Sequence, residues 1–188
     1  MIVDLNSRYG LTPAHSEVVE ASKLIEPCNT LDMGCSSGRN ALYLSQLGFN
    51  LTAIDANPSA IDMLQSIINE EGINNIKAQV YDINNANLGE DYGFISCTVT
   101  LMFTDPVRIG AIITDMQKRT QPGGYNLIVC AMNTEEYPCP VRFPFTLKVG
   151  QLHEAYNGWK LIKYNEDVGT MHSGVKLQFA TLLAQKPA

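Results

Sequence analysis

Three aspartates at the ends of three predicted strands are the first chemical signal in this chain. Asp32 ends a short apolar run, Asp55 ends the next strand, and Asp82 follows the third. The carboxyl ends of parallel strands meet at one edge of a sheet, where ligands of open α/β sheets bind. A carboxylate after the second strand accepts hydrogen bonds from ribose hydroxyls, and one after the third can accept from an adenine amino group. We therefore expect a nucleoside-containing ligand at this edge.

A glycine-bearing turn, LDMGCSSG at residues 31–38, follows the first strand. Gly34 allows a tight turn, and Gly38 is expected to let the next helix approach the sheet. The spacing differs from the G-x-G-x-x-G fingerprint of dinucleotide sites. A nearby aspartate repels a pyrophosphate but attracts a cation, such as a sulfonium that also carries an ammonium group. Each aspartate taken alone is equally well explained as the cap of the helix after it.

Strands and helices alternate through the first two thirds of the chain. The predicted strands cover residues 30–33, 50–54, 76–81, 94–99 and 125–131. The predicted helices cover residues 14–26, 39–47, 59–70 and 107–120, and Pro122-Gly123-Gly124 is expected to break the last of these. Apolar strands that alternate with helices are typical of a parallel sheet covered on both faces.

The last third predicts a different arrangement, with a helix near residues 149–156 and strands over 159–165 and 176–184. About ten residues join these strands, too few for a crossover helix, so the two should pair antiparallel. We predict a single α/β domain over residues 1–188. Its fold class is a doubly wound, Rossmann-like sheet of seven strands in the order 3-2-1-4-5-7-6, with helices on both faces and the last strand antiparallel.

Composition favours small-molecule chemistry in the cytoplasm. The 188 residues carry 19 acidic side chains against 13 lysines and arginines, a net charge of −6, which disfavours a nucleic-acid partner. The five cysteines are odd in number and none forms a C-x-x-C pair, which is typical of reduced thiols and excludes common metal-site spacings. We expect no signal peptide and no membrane insertion, because no apolar run approaches the ~20 residues that span a bilayer. A monomer and a homodimer are both compatible with these features.

Four segments resemble class I S-adenosylmethionine-dependent methyltransferases: LDMGCSSGRNALYL, LTAIDANPSAI, VYDINN and KRTQPGGYNLIV. The loop departs from that family at Ser36, where a second glycine is common. The segments LTPAHSEVVEA, TVTLMF, QPGGYNLIVCAMNTEEYPCPVRFPF and KYNEDVGTMH are similar to the tellurite-resistance methyltransferase family, protein B of that system. This resemblance runs from about Arg8 to the C terminus. It implies S-adenosylmethionine as cofactor and methyl transfer to a tellurite or selenite oxyanion, a detoxification reaction.

The resemblance also implies a set of site residues. The predicted cofactor-binding residues are Arg8, Asp32, Gly34, Cys35, Gly38, Asn40, Asp55, Ala56, Asp82, Ile83 and Thr98. Residues 1–13 are expected to cover the cofactor as a lid, with Arg8 near its carboxylate. His172 is the predicted acceptor-orienting or proton-handling residue, and Arg142 is predicted to help hold the oxyanion. The basic partners expected near His172 are missing, because Ser173 follows it and Gln178 is neutral.

Three other functions remain open at this point. Methyl transfer to another small molecule, through an oxygen, nitrogen or thiol acceptor, would use the same cofactor residues. A non-catalytic S-adenosylmethionine-binding module would also use the same turn and aspartates. A nicotinamide-dependent dehydrogenase is disfavoured by the missing G-x-G-x-x-G motif and the antiparallel last strand. An oxyanion with a lone pair on its chalcogen atom needs no strong general base for methylation.

Overall fold

A computed structural model of the protein describes residues 4–171 and 173–188. One sheet contains all seven of its strands. The strands are Asn29–Met33 (β1), Asn50–Asp55 (β2), Ile76–Val80 (β3), Tyr92–Thr98 (β4), Thr120–Ala131 (β5), Lys160–Thr170 (β6) and Lys176–Gln185 (β7). The α-helices are Leu5–Arg8 (α1), Ser16–Ser22 (α2), Arg39–Gln46 (α3), Pro58–Glu70 (α4), Ile109–Arg119 (α5) and Gln151–Ala155 (α6).

The strand order is β3-β2-β1-β4-β5-β7-β6. The pairs among β3, β2, β1, β4 and β5 are parallel, and β7 runs antiparallel between β5 and β6. The predicted fold class and strand order are therefore confirmed. Helices α2 to α6 contribute side chains to the two apolar clusters that cover this sheet, and α1 contacts α3.

Two apolar clusters cover the two faces of the sheet. Successive residues of a strand point to opposite faces, and in β4 Phe94 belongs to one cluster while Ile95 belongs to the other. The first face also buries side chains of α2, α3 and α4, such as Leu64, and the second buries side chains of α5 and α6, such as Ile112. The sheet is thus held between helices, with its strand ends free to form a site.

Three predicted boundaries were wrong. The first long helix ends at Ser22 rather than just before Pro27. Residues 122–124 do not separate a helix from a strand, because β5 already begins at Thr120 and runs through them. A Cβ on Gly124 would lie 2.7 Å from the Gly93 carbonyl oxygen, so this glycine permits close contact with β4. Finally, β6 extends to Thr170, so the connection to β7 is shorter than predicted.

All five cysteines are free thiols, and three of them are buried. Within residues 4–171 and 173–188, no helix has the length and apolar character needed to cross a membrane.

Candidate active site

Three neighbouring cavities form one crevice at the carboxyl ends of the central strands. The aspartate cavity, about 330 Å³, includes Asp55 and Asp82 in its wall. The glycine-turn cavity, about 320 Å³, is lined by residues of the turn after β1 and by the segment before α2. The hairpin chamber, about 500 Å³, lies against β6 and β7. Gly34 and Ser36 line the first two cavities and Arg39 lines the last two, so the three adjoin one another.

Asp55 fastens the turn after β1 to the start of α4. Its Oδ2 accepts from the Ser36 backbone N–H at 2.8 Å, and its Oδ1 accepts from the Asn57 N–H at 2.8 Å. Helix α4 is capped by Asn57 rather than by Asp55. A carboxylate oxygen has two lone-pair sites, so each oxygen of Asp55 keeps one acceptor position toward the cavity.

Asp82 has a local structural role. Its Oδ1 accepts from the Asn84 backbone N–H and the Asn84 side-chain amide, both at 2.9 Å, and it caps a single 3-10 turn over Ile83–Asn85. Asn84 in turn accepts from the Asp105 N–H at 2.9 Å. The capping explanation therefore holds for Asp82, which also lines the aspartate cavity.

The two glycines of the turn are needed for different contacts. Gly34 has φ +71°, and a Cβ there would lie 2.2 Å from Thr100 Cγ2, so only glycine fits beside the segment after β4. Gly38 has φ +91°, and its missing Cβ leaves room for Leu64 of α4, whose Cδ1 would be 2.4 Å away. The missing Cβ of Gly38 thus makes room for a side chain of α4, whereas the prediction placed the sheet there.

Asp32 lies beneath the crevice and not in its wall. Only 1% of its surface is exposed. Oδ1 accepts from the Ser96 hydroxyl at 2.9 Å, while Oδ2 is buried without a hydrogen-bond partner in the described part of the chain. Burial raises the pKa of this carboxyl to about 6, although the hydrogen bond from Ser96 opposes the rise. An orphaned buried carboxylate at this position provides negative potential directly under the glycine turn.

Arg39 and Asn40 tie the segment before α2 to the first turn of α3. Arg39 Nη1 donates to Thr12 Oγ1 at 3.2 Å, and the Asn40 amide oxygen accepts from the His15 backbone N–H at 2.9 Å. The Asn40 amide nitrogen donates to Thr98 Oγ1 at 3.1 Å. One buried side chain thus links the N-terminal segment to the end of β4. Leu11 and Thr12 consequently line the glycine-turn cavity.

Arg39 is a cation without a close carboxylate. Across residues 4–171 and 173–188, none of the ion pairs within 4.0 Å involves its guanidinium. It is partly buried and lines both the glycine-turn cavity and the hairpin chamber. Burial lowers the pKa of Arg39, and the charge of Asp32 raises it. An anionic group in either cavity would find this cation available.

His15 presents a neutral ring to the hairpin chamber. Its Nδ1 accepts from the Glu17 N–H at 3.2 Å, which caps α2 and leaves the ring proton on Nε2. Burial lowers the pKa of His15, and the charge of Arg39 lowers it further. Nearby, Glu17 pairs with Lys163 of β6 at 2.6 Å, so this carboxylate is neutralised. The chamber wall also contains apolar side chains of the hairpin, among them Phe179.

Most of the predicted cofactor residues converge on the first two cavities. Those in the cavity walls are Gly34, Cys35, Asn40, Asp55, Ala56, Asp82, Ile83 and Thr98. Asp32 and Gly38 lie behind the walls. Cys35 is buried, and burial raises the pKa of its thiol above the usual range, so a thiolate is disfavoured there.

Two predicted arginines lie elsewhere. Arg8 pairs with Glu71 at 2.9 Å and is absent from the walls of the three cavities. Tyr9 also donates to Glu71, at 2.5 Å, so this carboxylate holds α1 against the end of α4. Arg142 is exposed and also absent from the walls. The structure thus places both arginines outside the three cavities, and their roles stay predictions. His172 lies outside the described residues.

Several wall residues were not predicted. Arg39 and Ser36 belong to the same turn as the predicted glycines, and the pattern GCSSGR could have indicated them. Tyr81 and Asn84 flank Asp82 in the aspartate cavity. Val99 lines all three cavities, and no sequence pattern distinguished it from an ordinary strand residue.

The family model described as tellurite resistance protein TehB matches residues 4–183. The chain belongs to the TehB family. A relative from Haemophilus influenzae (strain 10810), described as a probable S-adenosyl-L-methionine-dependent methyltransferase TehB, is 44% identical over 187 residues, covering 96% of this chain and 65% of the relative. A relative from Eikenella corrodens, described as hemagglutinin 1, is 44% identical over 97% of this chain and 62% of its own length.

A solved structure of a TehB protein is also similar to this chain. The crystal structure of TehB from Haemophilus influenzae superposes with a TM-score of 0.93 at 44% identity, over 96% of this chain and 65% of that one. The chain therefore spans about 65% of the length of the family members it matches. The sheet order and the family membership are consistent with each other.

Proposed function

We propose that this chain is an S-adenosylmethionine-dependent methyltransferase that acts on a small acceptor, with a tellurite or selenite oxyanion as the leading acceptor. The observation that carries this proposal is the crevice, in which two cavities at the glycine turn adjoin a third chamber. Family membership and the description of the Haemophilus relative support it. We further propose that the protein acts in the cytoplasm, as a monomer or homodimer, without a nucleic-acid partner.

The residues present fit S-adenosylmethionine. Asp55 has free acceptor positions for the ribose hydroxyls, and the wall from Tyr81 to Asn84 offers apolar and polar groups for an adenine ring. The unpaired Oδ2 of Asp32 supplies negative potential for a cationic ligand. When bound, the cofactor supplies an electrophilic methyl group on a sulfonium centre.

Arg39 replaces Arg8 as our candidate for the cofactor carboxylate. Its guanidinium lines the glycine-turn cavity next to Thr12 and has no carboxylate partner in the described chain. A bound carboxylate would give it a charge-assisted hydrogen bond. The lid role proposed for residues 1–13 rests on Leu11 and Thr12, which reach the same cavity.

The acceptor would bind in the hairpin chamber. There the His15 ring can donate from Nε2, and His172 remains our proposed acceptor-orienting residue on sequence grounds. The lone pair of a chalcogen oxyanion can form the new bond to carbon directly, so no residue has to remove a proton first. The main tasks of the chain are then to align the acceptor and to exclude water.

The chamber also favours a second acceptor class. Its volume of about 500 Å³ lies within the range of pockets that hold drug-sized ligands. Its wall includes apolar side chains, among them Val129 and Phe179, as such pockets usually do. A small organic acceptor that reacts through oxygen, nitrogen or sulfur would fill it better than a four-atom oxyanion. A binding module without catalysis is the third possibility, because the cofactor residues are the same in both.

Formation of S-adenosylhomocysteine by the purified protein tests the proposal. The protein is given S-adenosylmethionine alone, with tellurite, with selenite, and with a panel of small organic thiols and phenols. Product that depends on tellurite or selenite supports the leading acceptor, and product only with an organic acceptor supports the second class. Tight cofactor binding without product for any acceptor would contradict the enzyme and favour the binding module.

A further inference from the structure

Val99 stands where the three cavities meet. It follows β4 directly and is a wall residue of the aspartate cavity, the glycine-turn cavity and the hairpin chamber. No other residue is common to the three walls. Val99 and Arg39 are the residues that the glycine-turn cavity shares with the hairpin chamber, so both lie at the boundary between them.

The backbone of Val99 is strained. Its φ is +57°, in the left-handed region that β-branched residues rarely occupy. The other non-glycine residues with positive φ in the described chain are Ser36 and Ala86. Such strain persists only where the surroundings fix it, and it concentrates at functional sites.

Neighbouring groups hold Val99 in this conformation. Its backbone N–H donates to the Val129 carbonyl at 2.7 Å. The hydroxyl of Thr100 lies 3.1 Å from the Thr98 carbonyl oxygen and 3.2 Å from the Met33 carbonyl oxygen, which fixes the chain on both sides. The turn itself would be satisfied by glycine, which adopts positive φ at no steric cost. The fold therefore explains the conformation but not the choice of valine.

We propose that Val99 is a positioning residue, whose isopropyl group forms the partition between the cofactor cavities and the hairpin chamber and sets the approach of the acceptor to the methyl group. This inference rests on the proposed function. It also makes Val99 a determinant of acceptor size, because a smaller side chain widens the passage.

The test compares Val99→Gly with Ala86→Gly, a matched control that removes the same kind of positive-φ strain outside the three walls. For Val99→Gly we expect unchanged or higher thermal stability, a Kd for S-adenosylhomocysteine within about threefold of wild type, and a kcat lowered about tenfold or more. The kcat of Val99→Ala should lie between those of wild type and Val99→Gly. This variant should also raise the activity with larger acceptors relative to smaller ones. Ala86→Gly should keep the wild-type kcat.

A kcat in Val99→Gly within twofold of wild type would overturn the inference. So would parallel losses of stability, cofactor affinity and kcat, which a purely structural residue would produce. The ratio of the Kd values for S-adenosylmethionine and S-adenosylhomocysteine gives a readout without turnover. It should change at least threefold in Val99→Gly, since only one ligand carries the methyl group, and an unchanged ratio contradicts the inference. If the wild-type protein shows no activity with any acceptor, only the proposed function is refuted. The ratio of the two Kd values can still be measured and still tests the role of Val99.

Discussion

The two ends of the crevice are formed by different parts of the fold. The aspartate cavity takes its wall mainly from short segments that follow β1, β2, β3 and β4, where the parallel sheet brings strand ends together. The hairpin chamber takes its wall from residues spread between His15 and Thr181, including both strands of the antiparallel hairpin. The proposed cofactor end is therefore formed by loops at the strand ends, while the proposed acceptor end is formed mainly by side chains on the strands of the hairpin. A family can keep the first and vary the second.

The largest effect is expected at Gly34, where the cofactor end allows no side chain. Gly34→Ala should destabilise the fold by about 2–4 kcal/mol and abolish cofactor binding, because the new Cβ meets Thr100 and the positive φ adds strain. Urea unfolding and calorimetry measure the two effects. Gly10→Ala is the control: its φ is +67° and nothing lies within 4 Å of the new Cβ, so it should lose only about 1 kcal/mol. Equal losses in the two variants would rule out the clash with Thr100.

The buried carboxyl of Asp32 should make the free energy of unfolding depend on pH, with an effect of similar size. Its pKa rises from 3.8 unfolded to about 6 folded, so the folded state binds more protons and stability falls as pH rises between these values. Asp32→Asn removes this penalty of about 3 kcal/mol. Relative to wild type, the variant should gain stability between pH 4 and pH 7 in urea titrations. Asp62→Asn, on the exposed face of α4, should show no such gain, and parallel curves for wild type and Asp32→Asn would contradict the prediction.

A substitution of Asp55 should affect only one end of the crevice, because this residue lines the aspartate cavity and not the hairpin chamber. Asp55→Ala should weaken S-adenosylmethionine binding by about 1–3 kcal/mol, the cost of leaving buried donors unpaired. Calorimetry gives the Kd, and Asp62→Ala controls for the lost charge. An unchanged Kd in Asp55→Ala would remove this residue from the cofactor site.

The smallest effects come from exchanging one phenylalanine at each end. Phe179→Leu, in the hairpin chamber, should change the acceptor KM by a few-fold, or less than about 1 kcal/mol, and leave the cofactor Kd unchanged. Phe103→Leu, in the aspartate cavity, should do the reverse. Steady-state kinetics and calorimetry on both variants check this pattern. If both variants change both constants, the two ends are not independent.

Most residues that the sequence predicted for a cofactor lie together in the aspartate and glycine-turn cavities, because they adjoin recognisable strands. Asp55 and Asp82 follow apolar runs, and Gly34 sits in a turn of known type. The alternation of strands and helices indicated a parallel sheet, and the antiparallel pairing of β6 with β7 followed from a connection too short for a crossover. These signals are local, so a single sequence contains them.

The other features depend on contacts between distant segments. Arg8 was assigned to the cofactor, but its partner Glu71 lies 63 residues away in the chain. Gly38 was assigned to the sheet, but it makes room for Leu64 of another helix. The strain at Val99 arises from β1 and β5 on either side. The spacing of residues within a short stretch of sequence contains no information on such contacts.

The antiparallel strand has a consequence for the order in which the molecule folds. Its register joins Ile128 to Leu182, a closure of about fifty residues, whereas β1, α3 and β2 are consecutive. Closing a long loop costs more entropy, so β5 and β7 should pair late. The pairing of β1 with β4, which brings Thr30 beside Phe94, closes a loop of about sixty residues, so the aspartate cavity and the hairpin chamber should both be completed after β1 has paired with β2. Pulse-labelling hydrogen exchange should then protect the amides of β1 and β2 before those of β7, and the reverse order would contradict this sequence of events.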